Sequence, residues 1–119
     1  MENESRPVPE EYIERVARIF KAFGHPLRLK IVRILREGQK NVKELTEILG
    51  YSQANISKHL KVLEENNVLE RENRGTSSYY RIAGEDVIEI CSSACDYIQK
   101  VIEEESRYFD QVNGNDSIF

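Results

Sequence analysis

The sequence predicts a mainly α-helical domain with one small β-hairpin, on the strength of three consecutive stretches. Residues 45–50, LTEILG, bring a short helix to a glycine stop. Residues 52–63, SQANISKHLKVL, read as a capped second helix, and residues 68–82, VLERENRGTSSYYRI, as two β-rich segments about a polar turn. A short helix, a glycine turn, a second helix and a basic hairpin, in that order, make a helix-turn-helix with a β-wing. That arrangement lays one helix in a DNA major groove and a loop against the flanking backbone.

Residues 1–9, with Pro7 and Pro9, read as a disordered lead, and the folded domain is expected over residues 10–106. From Glu10 the apolar residues Tyr12, Ile13, Val16, Ile19, Phe20 and Phe23 recur at helical spacing, and Gly24 closes this first helix. His25-Pro26 opens the second with proline in its first turn. Its sequence LRLKIVRILREG is expected to bury Leu27, Ile31, Ile34 and Leu35 and to stop at Gly38. Asn41 is placed to cap the third helix with Glu44 completing a capping box, and Leu45, Ile48 and Leu49 form its inner face. Ser52 caps the fourth helix, whose inner face is Ile56, Leu60 and Leu63. Strands near residues 68–72 and 78–82 flank Asn73-Arg74-Gly75-Thr76, a hairpin turn. A long last helix is expected from Glu85 to about Tyr108, with Val87, Ile90, Cys91, Ala94, Cys95, Ile98, Val101 and Ile102 on one stripe. Residues 107–119 read as a flexible tail.

The chain has 119 residues, 39% of them apolar, which suits one modest domain. No run approaches the roughly 18 apolar residues of a membrane span. The acidic opening MENESRPVPE has no apolar stretch of the kind a secretory signal needs. Two cysteines without a disulfide framework fit a reducing cytoplasm, where this protein is expected to work. The net charge is −4, but it is unevenly spread. Residues 1–14 carry five acids and one base and residues 83–119 nine acids and two bases, whereas residues 15–82 hold fourteen Lys and Arg against seven Asp and Glu. Phosphate binding follows local cations, so the basic middle is the part suited to nucleic acid.

On the fourth helix, a step of about 100° per residue puts Ala54, Ser57, Lys58 and Lys61 opposite the inner stripe. This face is small, hydroxylic and basic. Gln53 can pair with adenine through two hydrogen bonds, Lys58 can reach guanine or a phosphate, and Ser52 stands at the phosphate-attracting helix N-terminus. Arg74 at the wing tip can enter a narrow minor groove while Thr76 and Tyr79 hold the adjacent backbone. Arg28 and Lys40 are further candidate phosphate contacts, and His59, nearer the buried edge, suits a structural hydrogen bond better than a base.

The segments FGHPLRL (residues 23–29), IVRIL (31–35), LTEILG (45–50) and SQANISKHLKVL (52–63) resemble the ArsR/SmtB family of bacterial and archaeal repressors, over about residues 10–105. The resemblance implies a winged-helix homodimer joined through its first and last helices, bound to operator dyads of double-stranded DNA and released by an inducer. The broad apolar stripes of both terminal helices independently ask for a partner. Two kinds of metal site occur in the family. At the positions of one stand Asn41 and Lys43, which offer no thiolate. At the positions of the other stand Gly84, Asp86, Tyr97 and Lys100, with one carboxylate among them. A zinc, nickel or cobalt site is therefore not expected, nor is any cofactor.

Cys91 and Cys95, four residues apart on the last helix, keep three readings open: packing in a dimer core, a redox or reactive-sulfur switch, or a soft-metal or metalloid site. A disulfide within one helix at this spacing is strained, so a bridge between chains or a longer polysulfide is easier. No catalytic order of Ser, His and Asp, no phosphate loop and no metal motif accompanies His25 and His59, so catalysis is not expected. A winged helix used only for protein interaction would present a neutral or acidic reading face, unlike the one here. The inducer, the operator and the choice between repression and activation are not encoded in any motif.

Overall fold

The structure, a computed structural model, describes residues 7–113. The elements run α1 (Glu10–Phe23), α2 (Pro26–Leu35), β1 (Lys40–Asn41), α3 (Val42–Leu49), α4 (Gln53–Glu65), β2 (Leu69–Arg74), β3 (Ser77–Ile82) and α5 (Glu85–Asn113). The chain divides into two units, one ending at Gly84 and one beginning at Glu85. Of the expected lead and tail, residues 1–6 and 114–119 lie outside the described residues. Residues 7–9 are irregular, and the last helix continues past Tyr108 to Asn113.

Within the first unit the helix ends follow local chemistry. Glu10 and Glu11 sit in the first turn of α1 and Lys21 in its last, each complementing the helix dipole. His25 caps α2: its Nδ1 accepts the Leu27 amide at 3.1 Å, and Pro26 follows where no amide hydrogen is needed. The capping box of α3 is complete, Asn41 Oδ1 accepting from the Glu44 amide at 2.8 Å and Glu44 Oε1 from the Asn41 amide at 2.9 Å. Asn41→Ala removes one arm of that box. It should cost about 1 kcal/mol, read as a lower urea midpoint with an unchanged slope.

The core gathers Phe23, Leu27, Ile31, Val32, Leu35, Leu45, Ile56, Leu60, Leu63, Val68, Leu69 and Tyr80. Two inner-face expectations are corrected. On α2, Val32 is buried and Ile34 only half-buried. This helix packs against α1, α4 and β3 together, so its buried arc is wide and turned toward Val32. On α3, Ile48 is exposed; Leu45 and half-buried Leu49 define the inner side, and Ile48 stands about 60° off it.

The hairpin gains a third strand. β1 pairs antiparallel with β3 (Lys40 opposite Tyr80, Asn41 opposite Tyr79), giving the sheet order β1-β3-β2. Two residues are too few to register as a periodic pattern. The hairpin turn is tighter than the four-residue one expected: Arg74 pairs with Ser77, leaving Gly75-Thr76 as the loop. Gly75 has φ 60° at the first loop position, a sign suited to the twist of paired strands and free of Cβ strain only for glycine.

The second unit is the helix α5, with Glu85 and Asp86 in its first turn. Ile90, Ile98 and Ile102 of its stripe are exposed, as are Tyr97, Tyr108, Phe109 and Val112. No helix among the described residues is long and apolar enough to cross a membrane.

Candidate nucleic-acid interface

The turn between α3 and α4 is set by two residues. Gly50 ends α3 in the left-handed conformation at φ 77°, and the Ser52 hydroxyl accepts the Asn55 amide at 3.1 Å to start α4. The helix that follows has two clean sides. Ile56, His59, Leu60 and Leu63 are buried, while Gln53, Ala54, Ser57, Lys58 and Lys61 are exposed. Among the described residues neither Lys58 nor Lys61 enters an ion pair, so this face carries uncompensated positive charge. At its N-terminal end the first amides of α4 lack helical acceptors apart from the capped Asn55 amide, and the helix dipole there favours an anion.

The wing supplies the second group. Arg74 Nη2 donates to Glu72 Oε1 at 3.1 Å, and its guanidinium carbon lies 4.6 Å from the centre of the Tyr79 ring. Glu72 also approaches Arg81 at 3.6 Å, and Arg81 meets Glu70, its partner in strand register, at 3.0 Å. Arg71 reaches Glu64 of α4 at 3.5 Å and ties the hairpin to that helix. The hydrogen bond and charge of Arg74 hold the Glu72 carboxyl below the usual carboxylate range, and Glu72 in turn raises the Arg74 guanidinium. Thr76 is exposed at the turn, Tyr79 is half-buried, and Lys40 sits half-buried on the neighbouring strand.

Arg28, expected as a phosphate contact, has hydrogen bonds to the protein's own groups. Its Nε donates to His59 Nδ1 at 3.0 Å, and its Nη1 reaches the carbonyls of Ala22 and Lys21 at 3.3 and 3.4 Å. These bonds turn the guanidinium inward, onto the protein's own groups. His59 itself is buried in the manner its position suggested, and its ring lies 4.4 Å from that of His25. Burial, then the charges of His25, Arg28 and Lys58, lower its pKa from the ordinary 6.5. The wing ion pairs, the Arg28 bridge and the ring pair are the features that sequence reasoning missed. The alternation of sign in Glu70-Arg71-Glu72 was the available signal for the first of them.

On α5, Cys91 is half-buried and Cys95 exposed. Burial and the neighbouring Cys95 push the Cys91 thiol up from its ordinary value. Among the described residues no three His, Cys, Asp or Glu side chains converge on a point that could hold a metal ion.

The family model for bacterial regulatory proteins of the arsR family matches residues 25–71, from the His25 cap into β2. An uncharacterized helix-turn-helix transcriptional regulator of Methanocaldococcus jannaschii is 38% identical over 81 residues, 67% of this chain and 91% of the relative. The chain belongs to the arsR family. Within that family the transcriptional repressor SmtB of Mycobacterium tuberculosis is 34% identical over 88 residues, 74% of this chain. The chain spans 65% of SmtB's length and 33% of the mycobacterial regulator Rv0324. Among solved structures, the homodimeric winged helix-turn-helix DNA-binding domain Mb0332 of Mycobacterium bovis, described as a possible ArsR-family transcriptional regulator, superposes with a TM-score of 0.75 at 29% identity, covering 87% of this chain and 95% of that one. The helices and three-stranded sheet described above are thus an arsR-type winged helix-turn-helix.

Proposed function

We propose that the chain is a homodimeric transcriptional repressor that binds operator DNA through α4 and the β2–β3 wing and leaves it when an inducer is sensed. The observation that carries this is the exposed side of α4, which combines small residues, a hydroxyl and two lysines that have no ion-pair partner among the described residues. Small side chains allow close approach to base edges, and uncompensated lysines gain the full benefit of releasing counterions from the phosphates. In this reading Gln53, Ala54 and Ser57 face the bases, and Ser52, Lys58 and Lys61 the bases and adjacent phosphates. Arg74, Thr76 and Tyr79 hold the flanking groove, with Lys40 beside them. Such a protein works where the DNA is, in the cytoplasm.

Two copies are favoured by apolar surface as well as by kinship with a homodimeric domain. Tyr12, Ile13, Val16 and Phe20 leave α1 with a face open to solvent, Phe20 being 62% exposed, and α5 carries its own exposed row of Ile98, Ile102 and aromatic residues. Patches of this kind are costly unless covered. Release through thiol chemistry has to use Cys91 and Cys95, the chain's two cysteines. Cys95 meets the reagent first, because it is exposed and because burial disfavours the reactive thiolate at Cys91. Joining two such thiols in a disulfide between copies gives up two protons and two electrons to an oxidant such as diamide or a polysulfide.

Fluorescence anisotropy on the DNA upstream of the gene, at two salt concentrations, tests the reading. Affinity should fall steeply with salt. A protein-interaction module would show no binding at either. Loss of binding on oxidant treatment that Cys95→Ser abolishes would assign the inducer to thiol chemistry. The same dependence on cadmium instead would make it a soft metal.

A further inference from the structure

We propose that His25, Arg28 and His59 form a latch that positions α4, and that protonating His59 releases it and weakens DNA binding. The inference rests on α4 being the DNA-reading element. Arg28 leaves α2 in the middle of its buried arc and bonds in two directions, to the last carbonyls of α1 and to His59 on α4. One guanidinium therefore joins three helices. His59 follows Lys58 in sequence, about 100° round the helix on its buried side, so its anchorage helps to set how the exposed face is held.

Each ring is placed as a hydrogen-bond acceptor by the donor it faces. His59 Nδ1 accepts from the Arg28 Nε–H, and His25 Nδ1 accepts from the Leu27 amide. A proton on His59 Nδ1 would set two donors and two positive charges against each other at a separation now 3.0 Å. The His25 ring lies 4.4 Å away and opposes a charge on His59.

Among the described residues no carboxylate favours the charge. The groups acting on His59 are His25 and Arg28, from α2 and its cap, and Lys58 from its own helix, all of which oppose protonation. On the other elements packed against α4, Glu44 of α3 is bonded to the Asn41 amide, Arg71 of β2 to Glu64, and Arg15 of α1 to Asn67. The direction of the linkage follows. A histidine with a lowered folded pKa adds stability that is fully present above its ordinary 6.5 and is lost as pH falls through the lower folded value. Acid therefore loosens the latch.

The predicted sign is distinctive, because added positive charge by itself tightens binding to DNA. One pH unit below the imidazole pKa, the neutral, competent form is about a tenth of the population, and apparent affinity falls about tenfold. The experiment is anisotropy of a fluorescein-labelled duplex of the DNA upstream of the gene, at fixed salt, from about pH 7.5 to about pH 4.5. It compares the wild type with the His25→Asn, His59→Asn double variant. Asparagine Oδ1 takes the place of Nδ1 as acceptor and does not titrate, and the chain has no third histidine. The expected result is weaker binding at low pH for the wild type and a flat profile for the variant. A wild type that binds equally well or better at low pH overturns the latch, whatever the variant does. The same loss in both proteins also overturns it. Absence of binding at every pH would overturn the DNA reading and the latch with it.

Discussion

Lys58→Ala together with Lys61→Ala should flatten the salt dependence of DNA binding without loosening the fold. Both side chains are exposed and neither has an ion-pair partner among the described residues, so stability should change by less than about 0.5 kcal/mol. In a dimer each lysine counts twice. Removing about four phosphate contacts should reduce the slope of log K against log salt by roughly 3 to 4. Those contacts account for about a hundredfold of the affinity a wild-type dimer loses between roughly 50 and 200 mM salt. Anisotropy over a salt series, with a thermal melt of the same preparation, checks both halves. An unchanged slope would mean that this side of α4 does not face phosphate. A collapsed melt would mean that the lysines support the fold.

Leu60→Ala should do the reverse, abolishing binding by removing the structure that presents the surface. Leu60 is fully buried in the middle of α4, a helix that packs against α1, α2, α3 and β2. Truncating a leucine in such a position costs about 3 kcal/mol, from lost transfer energy and from the cavity left behind. Small domains hold only about 5–15 kcal/mol in total. At roughly 4–8 °C per kcal/mol the melting temperature should drop by about 10–20 °C, with an unchanged urea slope. A cost under about 1 kcal/mol would show that the neighbours close the cavity, and that the core around α4 is softer than its packing suggests.

These two expectations differ in how far the sequence anticipates them. Leu60 and Lys58 both follow from helical period alone, because α4 has one buried and one exposed side and its spacing separates them. The caps were equally legible, since Asn41 with Glu44, and Ser52, act over three residues of chain. What the sequence hid depends on more than one element. Val32 is buried in place of Ile34 because α2 is enclosed by three neighbours, a fact absent from its own period. Arg28 read as a free cation for the same reason: its place in the buried arc is visible only once α4 and the end of α1 lie on either side of it. The strand β1 is two residues long and exists through its pairing with Tyr79 and Tyr80. The Glu70–Arg81 pair needed the hairpin register before it could be seen.

The wing bears on selectivity through its own glutamates. Arg74 already has an anion, Glu72, at 3.1 Å, and Glu72 has a second cation in Arg81. Any phosphate that engages Arg74 must displace a resident competitor, and Glu72 can then fall back on Arg81. What the wing gains on DNA is the difference between two ion pairs, not the whole of one. A stray polyanion that merely drifts past finds a residue already neutralised, whereas a duplex docked on α4 presents its phosphate at high local concentration and wins the exchange. If the wing meets DNA as proposed, the hairpin would behave as an ion exchanger gated by prior docking and would filter out weak encounters that an unguarded arginine would retain.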